Sequence, residues 1–179
     1  MNINTTYLLS CSEPVAQTRR KIFDRQYPTH TYKLHINEST ASDSEANIAE
    51  GHMAIWDRSR GDDWCMVLED DAIINDLNIT GVESNIMFVS LFSDGICHRE
   101  YYSDEYDKII PHHTYGKKNC GLVGYCINVE YALEISQQYK YNVPIDHYIY
   151  NIVDNNQLVT KVNKVSHKTG WSLKSKSLV

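Results

Sequence analysis

Glu69, Asp70 and Asp71 follow directly on the apolar run Trp64-Cys65-Met66-Val67-Leu68. A run of that kind reads as a buried strand, so the carboxylates stand where the strand leaves its sheet, the place where open α/β sheets hold ligands. Adjacent carboxylates repel one another unless a cation or a proton neutralises them, and hard divalent ions such as Mg²⁺ and Mn²⁺ are held by oxygen ligands of this type. Side chains alternate faces along an extended segment. Glu69 and Asp71 are therefore expected on one side and Asp70 on the other, with two of the three sharing an ion. The competing reading is an acidic, solvated turn, because Asp favours turns.

The chain that must position these groups has 179 residues, enough for one domain with a real core and short for a two-domain enzyme. Hydrophobic residues make up 42% and charged residues 22%, as in a folded globular protein. A net charge of -6 argues against general affinity for polyanions, which rests on neutralising phosphates with Lys and Arg. The charge is uneven: Lys161, Lys164, Lys168, Lys174 and Lys176 lie beyond Gln157 with no acidic residue among them. Cys11, Cys65, Cys97, Cys120 and Cys126 show no Cys-x-x-Cys pair and read as reduced, buried thiols. With no signal-peptide pattern and no apolar stretch of membrane-spanning length, the expected setting is cytoplasmic.

Strand and helix patterns alternate. Thr5 to Cys11 reads as a central strand, followed by a helix from Glu13 to about Arg25 with Ser12 as cap and Pro14 in its first turn. Tyr32, Leu34 and Ile36 alternate with Lys33 and His35, a strand pattern. Asn47 with Glu50 resembles a capping box for a helix whose one face carries Ile48, His52, Ile55, Trp56 and Ser59 and which ends at Gly61. Ile86 to Phe92 is a further strand, and Ser93 to Lys118, which holds His112 and His113, reads as a long functional loop or lid. Gly121 to Asn128 is strand-like, and Asn128 caps a helix burying Ala132, Leu133, Ile135 and Tyr139. A short helix runs from Pro144 to about Asn155, and a last strand spans Leu158 to Val165. The alternation predicts a single α/β domain over residues 1–170 with a basic tail at 171–179.

Four pieces recur in order: Tyr7-Leu8-Leu9 with Arg19-Arg20 downstream; Glu50-Gly51-His52-Met53-Ala54-Ile55-Trp56; Val67-Leu68-Glu69-Asp70-Asp71-Ala72; and Gly124-Tyr125-Cys126-Ile127 with Ala132, then Pro144-Ile145-Asp146. This ordered set resembles glycosyltransferase family 25, the lipooligosaccharide and collagen galactosyltransferases, from about Tyr7 to His167. The resemblance implies a GT-A-like α/β fold with a mixed, mostly parallel sheet flanked by helices. It also implies a nucleotide-sugar donor of the UDP-galactose or UDP-glucose class, Mn²⁺ or Mg²⁺ at the donor pyrophosphate, and a hydroxyl acceptor on a saccharide or glycoconjugate.

By the same resemblance Asp71 coordinates the metal directly, with Glu69 or Asp70 orienting sugar or bound water, and His167 completes the metal site. Arg19 or Arg20 reaches the donor phosphates by charge-assisted hydrogen bonds, and His52 contacts the donor, although Gly51 stands where the family has serine. Asp146 becomes the general base for the acceptor hydroxyl. Each residue also has a plainer reading: solvated arginines on a helix, a hydrogen-bonded core histidine, an aspartate favoured by a helix dipole, an exposed tail histidine. The lysine-rich end admits modified nucleic acid as a minor alternative acceptor. Two other function classes stay open: a metal-dependent phosphohydrolase or nuclease, and a non-catalytic module with a glycosyltransferase shape.

Overall fold

The computed structural model describes residues 3–29, 31–38, 44–76, 78–79, 84–89, 98–110, 122–152, 157–162 and 164–167. Strand β1 (Thr5–Cys11) lies in the interior of the sheet and is buried from Tyr7 to Ser10. Helix α1 (Pro14–Gln26) follows at once, with Pro14 in its first turn. Its N-cap is Glu13 rather than Ser12, and no side chain caps it. Burial of Ala16, Arg19 and Phe23 docks this helix on one face of the sheet.

Strand β2 (Lys33–Asn37) pairs in parallel with β1 and forms one edge of the sheet. Its alternation is the reverse of a hydrophobic-inward strand: Leu34 and Ile36 are exposed, whereas His35 is buried. Packing of α2 (Ser44–Arg58) against the side of β2 that His35 occupies accounts for this. Helix α2 begins three residues before Asn47, so the expected capping box falls inside its first turns. Asn47 instead accepts the Asn37 side-chain amide at its backbone carbonyl. The buried face comprises Ala49, His52, Ile55, Trp56 and Ser59, while Ile48 is exposed. The chain leaves the helix through Gly61 at φ 94°, a left-handed conformation that glycine adopts without strain.

Strand β3 (Trp64–Glu69) returns parallel to β1, and a two-residue turn at Asp70 and Asp71 leads into β4 (Ala72–Ile74). Then come β5 (Ile86–Phe88), β6 (His98–Tyr101), β7 (Tyr106–Ile110) and β8 (Gly124–Asn128). Helices α3 (Val129–Gln138) and α4 (Ile145–Asn151) precede β9 (Gln157–Thr160) and β10 (Val165–His167). Among the described residues the main sheet has eight strands in the order β2-β1-β3-β8-β5-β9-β7-β6, and β10 pairs with β4 in a separate ribbon. Only β8 and β7 run against the other strands of that sheet, which makes it mixed but mostly of one direction.

Two expectations fail here. The single strand expected at Leu158 to Val165 is two strands, β9 ending at Thr160 and β10 beginning at Val165. Part of the expected lid is a β-hairpin, β6–β7, that extends the sheet. An edge hairpin needs few inward side chains, here Tyr106 and Ile109, so its period-2 signal is faint in the sequence. His112, His113, Cys97, Cys120 and the tail at 171–179 lie outside the described residues. Cys65 and Cys126 are buried free thiols, and Cys11 is half-buried.

The sheet separates two cores. Cys65, Val67, Tyr125 and Ile127 pack with Ile55 and Trp56 of α2 and Ile135 of α3. Trp64, Met66, Leu68 and Cys126 pack with Phe23 of α1. The alternation along β3 thus assigns odd positions to the α2–α4 side and even positions to the α1 side, which decides where Glu69 and Asp70 go.

Gly124 opens the path for the crossing ribbon. A Cβ there would lie 3.0 Å from Val89 Cγ2 and 3.1 Å from Val165 Cγ1, while the Val165 amide donates to the Val89 carbonyl at 2.9 Å. Gly124→Ala is expected to lower stability by about 1–3 kcal/mol through overpacking. Urea denaturation of the purified variant checks this, and an unchanged midpoint would contradict it.

Candidate active site

The carboxyl ends of β1 and β3 lie side by side, with Leu9 opposite Glu69 in the register. On the α1 side Asp70 is buried and accepts from Ser10 Oγ at 2.6 Å and from Arg19 Nη1 at 3.1 Å. Both of its oxygens are thus engaged within the protein. Arg19, only 3% exposed, also faces Asp71 Oδ2 at 3.7 Å. Arg20 donates from Nη1 to Ser10 Oγ and, at 2.6 Å, to the Cys11 carbonyl. Arg20 therefore reaches back from the first helix to the end of β1 and Arg19 reaches the turn after β3, so the two are not a solvated pair. The expected alternation holds for Glu69 and Asp70, but the turn carries Asp71 round to the same guanidinium as Asp70.

On the α2 side Glu69 Oε1 lies 3.7 Å from His52 Nε2. His52 Nδ1 is 2.8 Å from the Tyr125 hydroxyl, which also accepts from Trp56 Nε1 at 3.1 Å. His52 has no exposed surface, so in this structure its influence on a ligand passes through Glu69. Gly51 has a packing explanation. A Cβ at this position would lie 2.9 Å from Leu9 Cδ1 and 3.4 Å from Asn37 Cβ, so α2 passes too close to β1 and β2 for a serine without Leu9 moving.

Asp146 opens α4, and its Oδ1 accepts from the His147 amide at 2.8 Å. Burial raises its pKa, and the Glu69 charge raises it further, while His147 and His52 act in the opposite direction. The charges of Glu69 and His52 both act on it, so Asp146 is within electrostatic range of these two groups. His167, expected beyond the last strand, lies within β10, where it pairs in register with Ala72 next to Asp71. Separated by more than ninety positions in sequence, the two backbones are neighbours in the ribbon.

Burial is the largest contribution to the electrostatics. It raises the pKa of Asp70 against the opposing pull of Ser10 and Arg19, and it raises that of Asp71 to about 7, with the Glu69 charge adding to the effect. Asp71 Oδ1 is buried without a hydrogen-bond partner. Among the described residues no group of three or more His, Cys, Asp or Glu is placed to hold a metal ion. Asp71, which Arg19 faces through Oδ2 only and whose Oδ1 is an orphan oxygen, has the chemistry of a ligand for a hard cation that draws its remaining ligands from phosphate and water.

Sequence reasoning missed Ser10, Trp56 and Tyr125 as parts of the site. His52 and Trp56 stand four apart on one helix face, which is a legible signal, but Tyr125 resembles an ordinary core aromatic until the register places it opposite Val67.

Asp71 holds a proton more tightly when folded than its ordinary carboxylate value of about 3.9 would allow. The unfolded chain therefore binds fewer protons than the native one across this window, so this group's contribution to stability falls as pH rises from about 4 to about 7. Asp71→Asn removes that slope: the variant's advantage over the metal-free parent grows across the window, on the order of a few kcal/mol. Urea melts at pH 5 and pH 7.5 measure it, and parallel pH profiles for the two proteins would refute it.

No protein-family model matches the sequence, and no curated protein matches it. Among solved structures the chain is similar to a glycosyltransferase involved in the glycosylation of the major capsid of PBCV-1, with TM-score 0.55 and 12% identity over 96% of this chain and 96% of that one. It is similar also to A197 from STIV, with TM-score 0.56 and 12% identity over 92% of this chain and 85% of that one. A weaker likeness is to a Drosophila β1,4-galactosyltransferase 7 mutant in complex with manganese, UDP-Gal and xylobiose, with TM-score 0.45 and 11% identity over 96% of this chain and 79% of that one. At these identities the likeness is one of fold, and the fold is the α/β fold of GT-A-like glycosyltransferases.

Proposed function

We propose that the chain is a metal-dependent glycosyltransferase that moves a hexose from a nucleotide sugar to an acceptor hydroxyl on a saccharide or glycoconjugate. Asp71 carries the reading: a carboxylate partly answered by Arg19, with one orphan oxygen and within electrostatic reach of Glu69, at the carboxyl edge of a glycosyltransferase-type sheet. The ordered motifs that resemble family 25 support a donor of the UDP-galactose or UDP-glucose class.

In this reading Asp71 and Glu69 hold Mn²⁺ or Mg²⁺, with His167 as a further ligand candidate from the adjoining ribbon. The ion, when bound, supplies positive charge that stabilises a departing nucleoside diphosphate. Arg19 holds Asp70 and orients Asp71, and Arg20, which donates to Ser10 and to the Cys11 carbonyl at the end of β1, is the candidate for the donor phosphates. Asp146 accepts the acceptor hydroxyl's proton as that oxygen bonds to the anomeric carbon and the sugar-phosphate bond breaks. Burial, which raises the Asp146 pKa, makes it a better base than a solvated aspartate. Among the described residues no helix is long and apolar enough to cross a membrane.

Mn²⁺ with UDP-galactose or UDP-glucose at about 100 times Kd is expected to raise Tm by roughly 5–10 °C, and Asp71→Asn to abolish the gain. A parent protein that does not shift with either donor contradicts the proposal. Asp146→Asn is expected to retain the shift and lose roughly 10²–10⁴ in kcat, read by mass spectrometry of transfer products over an acceptor panel. Phosphate release without sugar transfer would favour the hydrolase class, and donor binding without turnover by the parent would favour a binding module.

A further inference from the structure

Trp56 Nε1 can only donate a hydrogen bond, so the Tyr125 oxygen is the acceptor across their 3.1 Å contact. Tyr125 is wholly buried, and its own proton needs an acceptor; His52 Nδ1 lies 2.8 Å away. A neutral imidazole that accepts at Nδ1 carries its proton on Nε2. Nε2 is buried without a hydrogen-bond partner and faces Glu69 Oε1 at 3.7 Å. That separation is too long for a hydrogen bond, yet an N–H facing a carboxylate attracts it, whereas the other tautomer would present a lone pair and repel it.

We infer that Tyr125 is a positioning residue. By donating its hydroxyl proton to Nδ1, it fixes His52 as the Nε2–H tautomer, and that N–H keeps one oxygen of Glu69 turned inward, leaving the other for a ligand. Trp56 holds the hydroxyl in place from the next turn of α2. The tautomer follows from the buried Tyr125 proton needing an acceptor while Trp56 already donates to its oxygen; its consequence for metal binding rests on the function proposed above. Partners of this outer kind are known to orient metal-binding groups in general.

Long-range ¹H–¹⁵N correlation NMR on the full chain labelled with ¹⁵N-histidine reads the tautomer directly and needs no variant. His52 is expected as a single Nε2–H form, and Tyr125→Phe is expected to mix the two tautomers. An Nδ1–H form in the parent overturns the inference, whatever the donor does. A second test separates the ring's two ends, because a glutamine amide reaches the Nε2 position and an asparagine amide the Nδ1 position. Calorimetry with Mn²⁺ and UDP is expected to give His52→Gln an affinity within about threefold of the parent, and His52→Asn a loss of about tenfold or more. Equal losses in the two variants overturn the link to Glu69. An Nε2–H parent that binds neither Mn²⁺ nor UDP supports the tautomer assignment and removes the proposed function instead.

Discussion

The site depends on a charge imbalance at low solvent exposure. Arg19 is inserted beside Asp70 and Asp71, and Glu69 stands on the far side of the same strand end. One guanidinium at 3.1 Å answers Asp70 well and Asp71, at 3.7 Å, less well. Desolvating an ion pair costs several kcal/mol per ion, and a good geometry with extra hydrogen bonds is what offsets it. Asp70 has that geometry, with Ser10 completing its shell. Asp71 does not, and the deficit appears as a carboxyl whose pKa is raised to about 7. The structure therefore holds one acid as a fixed support, while its neighbour, less well answered by Arg19, keeps its proton to a higher pH.

The sheet divides this work between its faces. The even positions of β3 look toward α1, so Asp70 meets Arg19; the odd positions look toward α2, so Glu69 meets His52. Each carboxylate is braced by a helix that begins near the same edge of the sheet. The α2 brace is continuous with the core, because His52, Trp56 and Tyr125 hydrogen-bond in an apolar layer that includes Ile55, Val67 and Ile127. Burial raises the Tyr125 pKa well above that of a solvated phenol, so its proton stays in place as a donor. Rotating the imidazole would leave buried polar atoms unpaired, a cost of about 1–3 kcal/mol for each group.

Small residues bring the remaining parts into range. Gly51 lets α2 approach Leu9 closely enough for His52 to reach the strand ends, and Gly124 lets the β4–β10 ribbon cross over the start of β8. The second crossing places the His167 backbone beside Ala72. On the other side Gln157 Nε2 donates to the Ile149 carbonyl at 3.0 Å, and Phe88 stacks on Tyr150 at 4.5 Å. These contacts fix the far end of α4, the helix whose first turn carries Asp146.

The amino-acid sequence by itself determined most of the elements. The apolar run at Trp64 to Leu68 has one stable outcome, a strand buried on both faces, and the carboxylates after it had to lie at its end. Pro14, Asn128 and Pro144 mark helix starts that the structure retains, because a missing N–H or a capping oxygen acts within a single turn. Where local signals were ambiguous the neighbours decided: Leu34 and Ile36 alternate like core residues, yet β2 is an edge strand and His35 is the buried one. The site's pairings belong to tertiary structure alone. Ser10 meets Asp70 across 60 positions, Arg19 meets Asp70 across 51, and His52 meets Tyr125 across 73. Strand order and register set such meetings. No periodicity within one segment carries that information, because which strands become neighbours is decided by the packing of the whole sheet.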